Sequence, residues 1–389
     1  MNIHVAVLPY LRSSSGAMAY TLELAKGLAK KGLYVSLVGF EVDPSHKNDL
    51  EKSKVRVYEL PALSRIFEYF GGPVFYYLGM SKSIVRALKE IDLERKVDLV
   101  HFTLAPALIG TNITKPVVTS AWNPLSPFDN IRKRILSLQF PYNFVGIPYS
   151  ISYDLLDTYA YKRVHAITCS TLDVLSRVRL LGGENAYLCS PPIDDALFNS
   201  HEIVPAPKVR VFYVSKNLLN PRKGIHVYLN ALKKLDSETL EKTSLYFIGG
   251  NSGRLRNLLP PELNASQINC LGPLNRTEVT SLLSKTDIYV NPSLFDDFSY
   301  ATLEALAYGP SAILSNLPAF RELSGGEPNV LLFNPHDSET LANHIETLVN
   351  DEEMRRNMGV KIRKYVKEKF GSSNSINAFI EVYNKVLSK

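Results

Sequence analysis

Short apolar runs alternate with amphipathic stretches along nearly the whole chain, and at about residue 208 the alternation starts again from its beginning. Ile3–Leu8 reads as a buried strand and Leu11–Gly16 as its exit loop. Leu22, Ala25, Leu28 and Ala29 recur at helical spacing up to a stop at Gly32, and Tyr34–Phe40 reads as a second strand. Strand, loop, helix, strand is the opening of a parallel α/β sheet. The pattern continues with strands at 55–60, 97–102, 117–119, 166–169 and 186–189, and helices near 83–89 and up to Leu181. Asn199–Pro207 is polar, proline-containing and without periodicity, which predicts a linker. Beyond it, strands are expected at 209–214, 245–248, 268–271, 288–290 and 312–314. Ile225, Tyr228, Leu229, Leu232 and Leu235 mark one helix face.

A chain of 389 residues exceeds one ordinary core of about 150 residues. The expected division is a first α/β domain over 1–200 and a second over 208–371. A C-terminal helix over 372–389 follows, which can pack back on the first domain. The composition is globular, and a net charge of +6 permits an anionic partner without demanding one. No basic arm or zinc-knuckle spacing supports nucleic acid. Cys169, Cys189 and Cys270 are odd in number and far apart, which argues for a reducing, cytoplasmic setting. The first apolar run is too short for a signal core, and no run of about 20 apolar residues occurs. The segment 130–153 mixes IRKRIL with aromatics and prolines. It reads either as an irregular subdomain or as a patch for a lipid or polymer acceptor, with peripheral contact at the inner membrane face.

Ligands of parallel sheets bind beyond the carboxyl ends of strands, so three loops carry the chemistry. Leu11–Gly16 is small and precedes a helix whose first amides suit an anion, but it lacks the G-x-G-x-x-G pattern of a nicotinamide site. Ser215–Gly224 holds Lys216, Arg222 and Lys223, a cationic set suited to a departing diphosphate if it is not simply a solvated loop. Asn291–Gly309 ends a strand, carries Asp296 and Asp297, and starts a helix with Ser299 as N-cap and Gly309 as stop. Asp296 and Glu304 are acceptors for sugar hydroxyls, and Glu304 lies in a helix expected to be buried, where a carboxylate needs a partner.

In this order the segments resemble the family 4 retaining glycosyltransferases. The residues 292–309 (PSLFDDFSYATLEALAYG) resemble that family's P-S-x-x-E-G-F-G-x-x-x-L-E-A-M-A-x-G. The runs 220–232 (NPRKGIHVYLNAL), 189–198 (CSPPIDDALF), 21–38 (TLELAKGLAKKGLYVSLV) and 97–102 (VDLVHF) are similar to its other landmarks. The resemblance implies a GT-B fold, an α/β architecture of two doubly wound Rossmann-like domains facing across a cleft. It implies a nucleotide-diphosphate sugar as donor substrate, and a carbohydrate, lipid-linked or small-molecule acceptor. No cofactor and no metal are implied. By the same resemblance Glu304 binds the nucleotide ribose and Asp296 the donor-sugar hydroxyls. Phe298, Ser299, Tyr300 and Ala301 form the amide loop that holds sugar and phosphate. Lys223 binds the diphosphate, with Arg222 of the same cationic loop counted as donor-binding from its position, Gly16 belongs to the glycine loop closing over the donor, and His101 is the strand-end histidine near the donor sugar.

Four departures stand out. Asp296 is one methylene shorter than the usual Glu, Asp297 and Ser299 replace two glycines, Thr119 lacks the following T-x-H pattern, and the arginine ahead of the lysine falls at Asn217 or, with a one-residue slip, at Lys216. Lys216 is preferred, because a leaving diphosphate needs a cation. Beside the transferase, a nucleotide-sugar epimerase or phosphorylase of the same fold and a non-catalytic partner subunit remain open.

Overall fold

A computed structural model of the chain describes residues 3–11, 16–61, 66–122, 124, 146–198, 206–260, 263 and 267–389. Side chains are described throughout these except in 10–11, 66–74, 146–150 and 153. The described residues form two compact units. The first runs to Asp194 and takes in Phe370–Lys389, and the second is Asp195–Lys369.

In the first unit the strands are β1 (His4–Leu11), β2 (Tyr34–Phe40), β3 (Val55–Leu60), β4 (Leu99–Phe102), β5 (Val117–Ala121), β6 (Ala166–Cys169) and β7 (Ala186–Leu188). They lie parallel in the order β3-β2-β1-β4-β5-β6-β7. Its helices are α1 (Gly16–Lys30), α2 (Pro44–Lys52), α3 (Ile66–Glu94), α4 (Gly146–Tyr161) and α5 (Leu172–Leu180). The second unit repeats the plan. β8 (Val209–Asn217), β9 (Thr243–Gly250), β10 (Ile268–Leu271), β11 (Ile288–Asn291), β12 (Ser311–Ser315) and β13 (Leu331–Phe333) are ordered β10-β9-β8-β11-β12-β13. Between them run α6 (Ile225–Leu232), α7 (Ser237–Glu241), α8 (Ser252–Arg256), α9 (Arg276–Leu283), α10 (Tyr300–Ala307), α11 (Pro318–Ser324), α12 (Ser338–Asn350) and α13 (Glu352–Phe370). The last helix, α14 (Ser372–Leu387), belongs to the first unit.

The strand order explains the sequence pattern. Each sheet grows outward in one direction, then restarts from its first strand in the other, so right-handed crossovers put helices on both faces. In the first unit α1 packs with α2 and α14, while α3 packs with α4. A parallel sheet covered on both faces has no wet side, which is why β1 and β12 read as unbroken apolar runs. Val5, Ala6, Val7 and Leu8 are fully buried, as are Ala312, Ile313 and Leu314. The order reverses between β1 and β4 and again between β8 and β11, and the carboxyl edge at such a switch point is where these sheets leave a crevice for a ligand.

Strands expected at 34–40, 55–60, 166–169 and 268–271 occupy those residues. Other elements differ, three of them as follows. The short strand β13 was not expected, nor was α2, which is capped by Asp43 and starts with Pro44. α3 begins at Ile66 rather than near Ser83, since packing on the sheet overrides local propensity. Most of the linker expected at 199–207, and the stretch 130–145 of the aromatic segment, lie outside the described residues. Among the described residues no helix is long and apolar enough to cross a membrane.

Gly27 sets how closely α14 can approach α1, because a Cβ there would lie 2.5 Å from Ile376 and 2.9 Å from Ser372 Oγ. Gly27→Val should therefore destabilise the first unit by about 1–3 kcal/mol, the usual range for overpacking. Urea unfolding will show this as a lower midpoint at unchanged slope, and an unchanged midpoint would remove the constraint.

Candidate functional site

The carboxyl edge of the second sheet brings three chain segments together, and two glycines make the approach possible. At Gly224, with φ +70°, an added Cβ would sit 1.8 Å from Pro292 O. At Gly249, with φ +145°, it would sit 1.7 Å from Ser215 O. Only a residue without Cβ fits such approaches. The end of β8 is therefore in backbone contact with the end of β9, and the turn that follows β8 with the loop after β11. Leu294 N donates to Arg222 O at 2.9 Å, closing the second contact.

Each segment is pinned from within. Asn217 Oδ1 accepts from Leu219 N at 3.1 Å and from Asn251 Nδ2 at 2.8 Å. Asn220 Oδ1 accepts from Arg222 N at 3.1 Å and starts a short 3₁₀ turn, Pro221–Lys223. The buried Tyr213 hydroxyl donates to Lys223 O at 3.1 Å. On the other side Asn291 Nδ2 donates to Thr302 Oγ1 at 2.7 Å, and Thr302 Oγ1 donates to Ser299 Oγ at 2.8 Å. Ser299 caps α10 by accepting from Thr302 N, and Gly309 lies just past its end with φ +77°. A short helix fixed at both ends aims its first-turn amides along one direction, where no intrahelical acceptor exists for them.

The charged groups meet here. Lys223 Nζ donates to Asp296 Oδ2 at 2.5 Å, and Arg222 Nη1 lies 3.9 Å from Asp296 Oδ1. The Asp296 side chain is only 7% exposed, so removing its cation would leave a nearly dry carboxylate unpaired. Arg222 also donates to Phe295 O at 3.4 Å. Lys216 stands exposed on the last turn of β8. The strand runs three residues beyond its expected end, so Lys216 and Asn217 are strand residues rather than loop residues, and the Asn217 side chain is used in the turn. Phe298 and Tyr300 present tilted rings 6.1 Å apart, and Ala301 is half-buried in the first turn. The buried Glu304 accepts from Arg276 Nη2 at 2.9 Å. Arg276 escaped the sequence reading, although an arginine in the first turn of a helix, against the macrodipole, was a usable signal.

Gly16 and His101 belong to the first unit. Gly16 opens α1 and is exposed. His101 corrects the expectation of a strand-end histidine near the donor sugar. It is fully buried, with Nδ1 2.6 Å from Tyr383 Oη and Nε2 2.8 Å from Ser120 Oγ. Ser120 in turn meets Tyr20 Oη at 2.8 Å and Thr168 Oγ1 at 3.0 Å. Both ring nitrogens are engaged within the unit, so the imidazole ties α14 to β4 and β5 and has no atom left for a ligand. The three cysteines are free thiols. Among the described residues no group of three or more His, Cys, Asp or Glu is placed to hold a metal.

Residues 198–365 match the family described as glycosyl transferases group 1. The chain is 25% identical over 181 residues to the serotype-specific mannosyltransferase WbdA of Escherichia coli, covering 45% of this chain and 22% of that protein. It is 27% identical over 172 residues to a D-inositol 3-phosphate glycosyltransferase of Corynebacterium jeikeium, covering 42% and 41%. The matches thus span less than half of these relatives. Over the whole chain the fold is that of solved glycosyltransferase structures. Sucrose-phosphate synthase from Thermosynechococcus elongatus superposes with a TM-score of 0.76 at 15% identity, covering 100% of both chains. Anabaena HepE, solved in complex with UDP and glucose, gives 0.73 at 16% identity over 99% of this chain and 100% of that one. The architecture is the GT-B fold of those structures.

Burial holds the His101 pKa down to about 3. Its folded value is below the unfolded value of about 6.5, so the unfolded chain takes up a proton that the native chain refuses. The associated stability is complete above pH 6.5 and is lost as pH falls towards 3, by about 1.4 kcal/mol per unit. Urea titrations from pH 7 to pH 4 should give a steeper fall for the natural chain than for His101→Phe, by one proton. Equal slopes would mean that the native imidazole titrates.

Proposed function

We propose that the chain is a retaining glycosyltransferase of the family 4 type, moving a sugar from a nucleotide-diphosphate donor to an acceptor hydroxyl without a metal ion. The observation that carries this reading is the meeting of Lys223 and Arg222 with Asp296 beside the start of α10. Cations, a sugar-binding carboxylate and first-turn amides are grouped there within the second unit. The UDP and glucose bound by Anabaena HepE, and the sugar-transferring names of the other relatives, support the same donor class.

In this mechanism the donor diphosphate takes Lys223, Arg222 and the exposed Lys216 as counter-charges, and the α10 amides add their dipoles. Lys223 turns from Asp296 to the phosphates, and Asp296 is then available to the sugar hydroxyls. Glu304 accepts from the ribose. As the bond between anomeric carbon and diphosphate oxygen breaks, the acceptor oxygen bonds to that carbon on the same face. The acceptor proton passes to the departing phosphate oxygen, leaving a glycoside and a nucleoside diphosphate. Fixed cations favour this path because they stabilise charge that is larger in the transition state than in the bound donor. The acceptor is a carbohydrate, a lipid-linked or a small molecule, and its identity is open to a substrate screen.

Thermal-shift assays with UDP, GDP, ADP and their sugar conjugates test donor binding, since a ligand at about 100 times its Kd adds about 2.7 kcal/mol. With the donor so found, Lys223→Ala should lower turnover roughly 10²- to 10³-fold. Natural turnover in that variant would sink the assignment. Conversion of the donor alone into an epimer, rather than its slow hydrolysis, would replace transfer by isomerisation.

A further inference from the structure

Glu304 and Arg276 form an ion pair that the charge chemistry of the diphosphate does not require. Arg276 is the first residue of α9, where a cation opposes the helix dipole, and its helix is already capped without it. Asn275 and Glu278 form a complete capping box, with Glu278 N donating to Asn275 Oδ1 at 3.0 Å and Asn275 N to Glu278 Oε2 at 2.8 Å. The guanidinium therefore does nothing for α9 that a small neutral residue would not do better. It reaches instead across to α10, the helix that packs against α9, and donates to Glu304 Oε1 at 2.9 Å. The two partners differ in burial: the Arg276 side chain is 35% exposed and the Glu304 side chain 11%. The carboxylate sits in the wall while the arginine stands at its rim.

We infer that Arg276 is a positioning residue, which clamps the Glu304 carboxylate in the orientation that recognises the ribose hydroxyls and so makes the site selective for ribonucleotides. The inference rests on the reading of Glu304 as the ribose acceptor. A glutamate side chain has three rotatable torsions, and a planar donor bonded to one carboxylate oxygen restricts how the group can turn. Without that donor the carboxylate would be free to turn towards solvent, which removes an oriented acceptor from the ribose. A site built to accept hydrogen bonds from a hydroxyl pair discriminates strongly against an analogue lacking one hydroxyl, because the buried acceptor is then left without its partner.

The test measures binding of UDP, GDP and ADP and of their 2′-deoxy and 3′-deoxy counterparts to the full chain by calorimetry, with thermal melting of each variant to confirm folding. The natural protein should prefer the best ribonucleotide over a deoxy counterpart by roughly tenfold or more. Arg276→Ala should bring that ratio to within about threefold of unity, and Arg276→Lys should restore part of it. Glu304→Ala should abolish the ratio, and adding Arg276→Ala to it should change the ratio no further. An unaltered ratio in Arg276→Ala, with loss in Glu304→Ala, overturns the clamp and leaves the ribose reading standing. A ratio that persists in Glu304→Ala overturns the ribose reading itself. Further loss in the double variant means that Arg276 touches the nucleotide directly, which also overturns the clamp. No binding of any of the three nucleotides removes both.

Discussion

Two backbones touch at the edge of the second sheet, and the candidate site depends on that touch. The turn carrying Arg222 and Lys223 and the loop carrying Asp296 leave different strands, β8 and β11, which are neighbours at the point where the strand order reverses. They meet only because Gly224 has no Cβ to place against Pro292 O. Once they meet, Lys223 can satisfy Asp296, and a carboxylate that would be costly alone becomes acceptable in a nearly dry position. The polar pins around it, from Asn217 and Asn220 on one side and Asn291, Thr302 and Ser299 on the other, hold both loops in place.

The resting ion pair also defines what a ligand must do. Lys223 is not waiting in water for an anion, because it is already bonded to Asp296. A diphosphate has to compete with that carboxylate, and it can do so by offering more charge than Asp296 while releasing Asp296 to hydroxyl groups. In the proposed mechanism that exchange would couple recognition of the phosphate to recognition of the sugar through one lysine. Arg276 and Glu304 form a second ion pair, on adjacent helices.

The first unit spends its buried polar groups differently. His101, Ser120, Tyr20, Thr168 and Tyr383 form one connected string with no exposed member, and it joins the central strands to the final helix of the chain. A histidine at the end of a strand in a sheet of this type invites a functional reading. Sequence spacing cannot tell whether the ring at that position meets a ligand or a tyrosine from a helix more than 280 residues away, since the partner is supplied by α14.

Much of this protein is legible in its sequence. Apolar runs, helix-period stripes and turn residues are local properties, and together they determine two parallel α/β sheets and place Lys216, Arg222, Lys223, Asp296 and Glu304 at a carboxyl edge. Glycine at 224 and the Ser299 cap are local signals too. What only the tertiary structure decided is partnership: that Lys223 bonds Asp296, that Arg276 bonds Glu304, that Asn217 is consumed by its own turn, and that His101 is sealed beneath α14. Each of those depends on where two segments far apart in the chain come to lie. Spacing along a sequence fixes faces and ends of elements, but the distance between atoms on different elements is set by how closely their backbones can pack.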